Sequence, residues 1–127
     1  MSEVAATDPE DDKLVTLART ARGRAYAPYT GAAEGAAVRD TDGRTYAAAT
    51  VEHHDPALTT TALRAALVAA ASSGARAFDA VALVSATAAR PAVDDLRLLF
   101  EFGETTRVLL ATPDGAVVTA ARATDLV

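Results

Sequence analysis

The residues of this chain with side chains suited to chemistry fall in four places. Glu34 stands in an alanine-rich stretch, and Glu52-His53-His54-Asp55 forms a polar run. Thr59-Thr60-Thr61 precedes Ala62-Leu63-Arg64, and Asp94-Asp95 follow Pro91 with Arg97 close behind. A carboxylate can hold or move a proton, and neighbouring histidines can bind a metal or shuttle protons near neutral pH. A threonine run can line a pocket with hydroxyls. Each group also has a plainer account. Two adjacent histidines rarely face one site, so His53-His54 reads as a solvated loop. Asp94-Asp95 complement the dipole at a helix start, and the threonines serve as helix-entry residues. Cysteine is absent, which removes thiolate nucleophiles, thiolate metal sites and disulfides together. No glycine-rich phosphate loop and no nucleophile elbow occurs.

The elements that must position these residues follow from apolar spacing and turn residues. At 127 residues, half of them hydrophobic, the chain is expected to form one domain over residues 11–127 behind a flexible segment 1–10. A helix is expected from Asp11 or Asp12 to about Tyr26, on the helical spacing of Leu14, Leu17, Ala18, Ala21 and Ala25. Strands are expected over Ala32–Arg39 and Thr45–Thr50, joined by an Asp40-Thr41-Asp42-Gly43 hairpin turn. Ala57–Ser73 reads as a second helix stopped by Gly74, and Val81–Ser85 as a buried strand. A third helix runs from about Val93 to Phe102, and strands Arg107–Ala111 and Val117–Ala121 flank the turn Pro113-Asp114-Gly115. This order predicts an α/β fold, a three-layer α/β/α sandwich around a five-stranded mixed sheet. The net charge of −5, with Lys13 the only lysine beside eleven arginines, argues against nucleic-acid binding through a general basic surface. No apolar run is long enough to span a bilayer and no signal-peptide pattern opens the chain, so a cytoplasmic location is expected.

Several stretches together resemble the small bacterial cytidine deaminases. They are Arg24-Ala25-Tyr26-Ala27-Pro28-Tyr29-Thr30, Gly35-Ala36-Ala37-Val38 with Asp42-Gly43-Arg44, Val51-Glu52, Glu101-Phe102-Gly103 and Pro113-Asp114-Gly115. They cover about residues 12–125 in the family's order. The resemblance implies the cytidine deaminase fold and a homotetramer. It also implies a zinc site, whose signature is a His or Cys, one residue, then Glu, and later Pro-Cys-x-x-Cys. In that family zinc lowers the pKa of a bound water and the glutamate moves protons. With Glu52, Arg64 and Pro91 fixing the frame, the first ligand falls on Thr61, the glutamate on Leu63, and the remaining ligands on Ala92 and Asp95. Threonine is a poor zinc ligand, alanine cannot ligate, one aspartate cannot hold a catalytic zinc alone, and leucine cannot move a proton. No metal and no other cofactor is therefore expected.

The resemblance also places a nucleoside pocket. Its ribose-contacting Asn is Thr50 here, the second ribose contact survives as Glu52, and an apolar position is Glu34. Ala32, Glu34 and Ala36 alternate onto one strand face, which in the family looks toward the substrate. Glu34, Thr50, Glu52, Thr61 and Arg64 are thus candidate ligand contacts. Glu34, Glu52, His53 and Asp95 are candidate acid–base groups. A half-buried Glu34 needs a partner. The cluster is either a new polar pocket or a salt-bridge network filling the zinc position. Three functions are compatible with these residues. The first is a non-catalytic protein that binds a nucleoside-like or other small molecule or serves as a structural subunit. The others are a repurposed metal-free enzyme of specialised metabolism, and a subunit that assembles with an active paralogue.

Overall fold

The computed structural model describes residues 8–127; residues 1–7 of the expected flexible segment lie outside them. The first helix, α1 (Pro9–Arg22), starts earlier than its apolar spacing suggests. Asp8 is its N-cap and accepts from the Glu10 N–H at 2.8 Å, and Pro9 sits where a missing N–H costs nothing. It ends before Tyr26 because the Tyr26 N–H leaves the helix to donate to the Thr50 carbonyl at 2.9 Å.

Strands β1 (Gly35–Asp40) and β2 (Thr45–Ala49) form the expected hairpin. Asp40 Oδ1 closes its turn by accepting from the N–H groups of Asp42 and Arg44, both at 2.9 Å. Strands β3 (Phe78–Val84), β4 (Arg107–Ala111) and β5 (Val117–Arg122) complete a sheet of order β2-β1-β3-β4-β5, in which only β3 and β4 run parallel. The five-stranded mixed sheet is thus as expected.

Helices α2 (Ala62–Ser72) and α3 (Val93–Phe100) cover one face and α1 the other. Strand alternation sorts the core. Ala36, Val38, Val81, Leu83, Val108 and Leu110 meet α2 and α3, while Ala37, Ala80, Ala82, Val84, Leu109 and Ala111 meet α1. Helix α2 begins five residues later than expected. Asp55 caps a separate 3-10 turn, Pro56–Leu58, and Thr60 pairs in extended form with Val51. The β-branched threonines suit that extended entry better than a helix interior. A last 3-10 turn, Ala123–Leu126, buries Ala123 and Leu126 against the same core and carried no clear signal in the sequence.

Small residues let α1 lie close to the sheet. A Cβ built on Gly35 would stand 2.1 Å from the Ala18 carbonyl oxygen and 2.4 Å from the Arg22 nitrogen, both backbone atoms that no rotamer change can move aside. Gly35→Ala is therefore expected to lose about 3 kcal/mol or more of stability, as overpacking against rigid neighbours does. Urea unfolding of the variant checks this, and an unchanged midpoint would show that α1 can shift freely.

Candidate functional site

Helices α2 and α3 bring their N-terminal turns together on one face of the sheet. Arg64, in the first turn of α2, reaches Asp95, at the third position of α3, with Nη2 to Oδ1 at 3.2 Å. Asp95 is only 3% exposed, whereas the Arg64 side chain is 43% exposed. The pair is close without being aligned, so Asp95 Oδ1 is buried with no hydrogen bond. Glu34 enters from the residue before β1, and the alternation of Ala36 and Val38 places it on the same face. Its backbone is held by Thr50: the Glu34 N–H donates to Thr50 Oγ1 at 3.2 Å, and the Thr50 N–H donates to the Glu34 carbonyl at 3.1 Å. Burial pushes the half-buried Glu34 carboxyl pKa up, and the neighbouring Asp95 charge pushes it further the same way.

The positions onto which the resemblance maps the zinc ligands and the glutamate have other engagements. Thr61 is the N-cap of α2, its Oγ1 accepting from the Arg64 N–H at 3.3 Å. Leu63 is 1% exposed and belongs to the core with Ala36, Leu67 and Leu96. Ala92 is the exposed N-cap of α3 and makes no side-chain bond there. One capping hydroxyl, one methyl group and one carboxylate paired with arginine do not fit zinc, which needs three or four strong donors. Among the described residues no three of His, Asp and Glu gather into a set able to hold a metal.

The remaining candidates do not converge on Glu34 and Asp95. Glu52 is buried and closes the preceding loop. Its Oε1 accepts from the N–H groups of Tyr29 at 2.9 Å and Thr30 at 3.2 Å, and its Oε2 accepts from the Thr30 hydroxyl. That hydroxyl bond, outweighing partial desolvation, together with the two N–H groups holds the Glu52 pKa below its ordinary value. His53 is exposed, and its Nδ1 accepts from the Asp55 N–H at 3.0 Å, a bond within its own loop. Its ring stacks loosely on His54, with centroids 4.3 Å apart. Thr50 uses its hydroxyl on the Glu34 backbone.

Two features escaped the sequence reading. One is the role of Tyr29 and Thr30 as partners of Glu52; unmet N–H groups in the turn before Gly31, which has φ of 74°, are the signal for it. The other is a mainly apolar groove of about 370 Å³ between the C-terminal ends of α2 and α3 and the residues that follow them, lined by Leu67, Val68, Ala71, Leu98 and Phe102 with Ser72 and Arg76. It lies at the opposite end of the helix pair from Arg64 and Asp95.

Comparison with known proteins matches residues 7–115 to the family described as cytidine deaminase-like. A curated cytidine deaminase of Sporosarcina psychrophila is 37% identical over 76 residues, which are 60% of this chain and 56% of that protein. The chain thus spans little more than half the length of that relative. The crystal structure of cytidine deaminase from Burkholderia pseudomallei superposes with a TM-score of 0.83 at 33% identity, covering 91% of this chain and 94% of that one. That of Mycobacterium tuberculosis gives 0.81 at 29% identity, covering 94% of each.

The two glutamates should respond oppositely to pH. Glu34 has a folded-state pKa raised above its ordinary 4.5, so the folded state loses stability as pH rises from there through the raised value. Glu52 has a lowered one, so its stabilisation is present above 4.5 and is lost as pH falls through the folded value. From acid to neutral pH, the melting temperature of Glu34→Gln should climb relative to the parent, and that of Glu52→Gln should fall. Parallel trends in the two variants would contradict these environments.

Proposed function

We propose that this chain, which belongs to the cytidine deaminase-like family, keeps that scaffold without zinc-dependent deaminase chemistry and binds a small ligand at the head of α2 and α3. The observation that carries the reading is the pairing of part-exposed Arg64 with buried Asp95, whose Oδ1 lacks a hydrogen bond, with a carboxylate from Glu34 beside it; the resemblance assigns the Asp95 position to a zinc ligand. A purely structural ion pair would be expected to satisfy its buried oxygens, because each one left bare costs about 1–3 kcal/mol. A ligand that supplies the missing bond removes that cost. The titratable Glu34 also gives such a site an acid–base group, so turnover of a bound ligand without metal falls within the same reading.

A second reading, as a subunit of a homo-oligomer or of an assembly with a paralogue, is favoured by exposed apolar side chains. Tyr26, Tyr29, Val51 and Leu58 are each more than half exposed around the Tyr26–Val51 and Val51–Thr60 bridges.

One set of measurements on the purified protein tests both readings. Thermal shift against nucleosides, nucleotides, bases and small amines should find a ligand that raises the melting temperature with concentration, without added zinc. Sedimentation should find more than one chain per particle if the apolar rim is a contact. Zinc at one equivalent per chain together with cytidine turnover would overturn the loss of deaminase chemistry. A screen with no hit would overturn the binding reading.

A further inference from the structure

The ligand-binding reading, on which this step rests, leaves the class of ligand open, and the charges at the site narrow it. Two carboxylates, Glu34 and Asp95, share the site with one guanidinium, that of Arg64. Asp95 is the buried member, and its Oδ1 has no hydrogen bond. Among the described residues Glu34 joins the hydrogen-bond network through its backbone alone, by way of Thr50, and its carboxylate has no ion-pair partner. The site therefore offers acceptors in excess of donors. Leu63 fills the position of a third acid with hydrocarbon and packs with Ala36 and Leu96. An apolar floor of this kind weakens dielectric screening and strengthens any charge contact made above it.

The alternatives fare worse. The N-termini of α2 and α3 and the Arg64 guanidinium would attract an anion if they stood alone. Asp95 already occupies that positive field at the head of α3, and Glu34 adds a second negative charge at the approach. A neutral ligand would leave the repulsion between the two carboxylates unrelieved. A cation with N–H donors relieves it, and a planar one can bond both oxygens of a carboxylate at once.

We propose that the Glu34–Arg64–Asp95 cluster is a binding site for a small organic cation carrying N–H donors, an amine, amidine or guanidine, received first by Glu34 and then by Asp95 Oδ1, which Arg64 approaches without a hydrogen bond. Arg64 is the internal occupant that such a ligand competes with: its guanidinium sits near Asp95 without a hydrogen bond, on a side chain that is 43% exposed.

Isothermal titration with benzamidine and agmatine tests this, with tetramethylammonium as a cation lacking N–H donors and cytidine as a neutral nucleoside. Benzamidine or agmatine should bind, and tetramethylammonium and cytidine should not. Glu34→Gln should weaken the binding at least about tenfold, the scale of one charged hydrogen bond. Its side chain forms no bond in the free protein, so the variant should fold, which its melting curve checks. Arg64→Gln, its folding verified by the same melting curve, should tighten binding by removing the competitor. If cytidine binds in a way that depends on Glu34 and the cations do not, the cation assignment is wrong and the site stands. If Arg64→Gln weakens cation binding, competition by Arg64 is wrong and the proposal as stated fails. If no probe shows binding that depends on Glu34, both the cation assignment and the site fail.

Discussion

A carboxylate carried into the interior on the first turn of a helix must be neutralised, and this constraint ties α1 to the sheet and α3 to α2. An unpaired buried charge costs several kcal/mol. Asp11 and Asp95 both stand at the third position of their helices, each beside an exposed acid at the second, Glu10 and Asp94. The N-terminal dipole stabilises both in part. Asp11 is completed from the sheet: Arg107 of β4 brings Nη1 to its Oδ1 at 3.2 Å and Nη2 to its Oδ2, and Arg39 of β1 stands 3.7 Å away. That cluster spans three elements and links the start of α1 to β1 and β4. Among the described residues Asp95 is completed only from α2, by one arginine at 3.2 Å without hydrogen-bond alignment. The two aspartates solve one electrostatic problem, and only the second solution leaves an acceptor over.

At the head of α2, each side chain has a local structural task. Thr61 satisfies a free N–H at the helix start, a task that any Ser, Thr, Asp or Asn performs at an N-cap. Leu63 adds hydrocarbon to a core that already holds Leu67, Leu96 and Leu99. Burial of that side chain contributes on the order of 2 kcal/mol. Arg64 turns toward Asp95. Thr61, Leu63 and Arg64 therefore each give the neighbourhood a local stabilising contact.

Much of the fold was legible because its signals are local. Asp42-Gly43 and Asp114-Gly115 mark hairpins, alternation marks the strands, and β4 fell on its expected residues. The start of α2 was misplaced because Ala57 and Leu58 have good helix propensity, while the extended entry of Thr59-Thr60 depends on pairing with Val51, a contact that propensity does not encode. The candidate site divided along the same line. The closeness of Glu34, Arg64 and Asp95 followed from placing them on a known architecture. The diversion of Glu52 to the Tyr29–Thr30 loop and of His53 to Asp55 depends on backbone N–H groups, whose directions composition and spacing leave open.

Glu34 and Glu52 are the same residue in the same small region, and the number of donors around each carboxylate separates their roles. Glu52 receives three, two backbone N–H groups and a hydroxyl, so its charge is favoured and its oxygens are largely engaged. A group in that state holds a loop and has little capacity left to recognise anything else. Burial desolvates Glu34, no donor among the described residues reaches its carboxylate, and Asp95 adds a second negative charge, so its charged form is held at a cost. That cost is reduced by a proton, by a cation or by unfolding, and the sheet and Thr50 oppose the third by fixing the backbone on which Glu34 sits. What remains is a carboxyl group whose state depends on what approaches it, which is the property a binding or proton-transfer site requires.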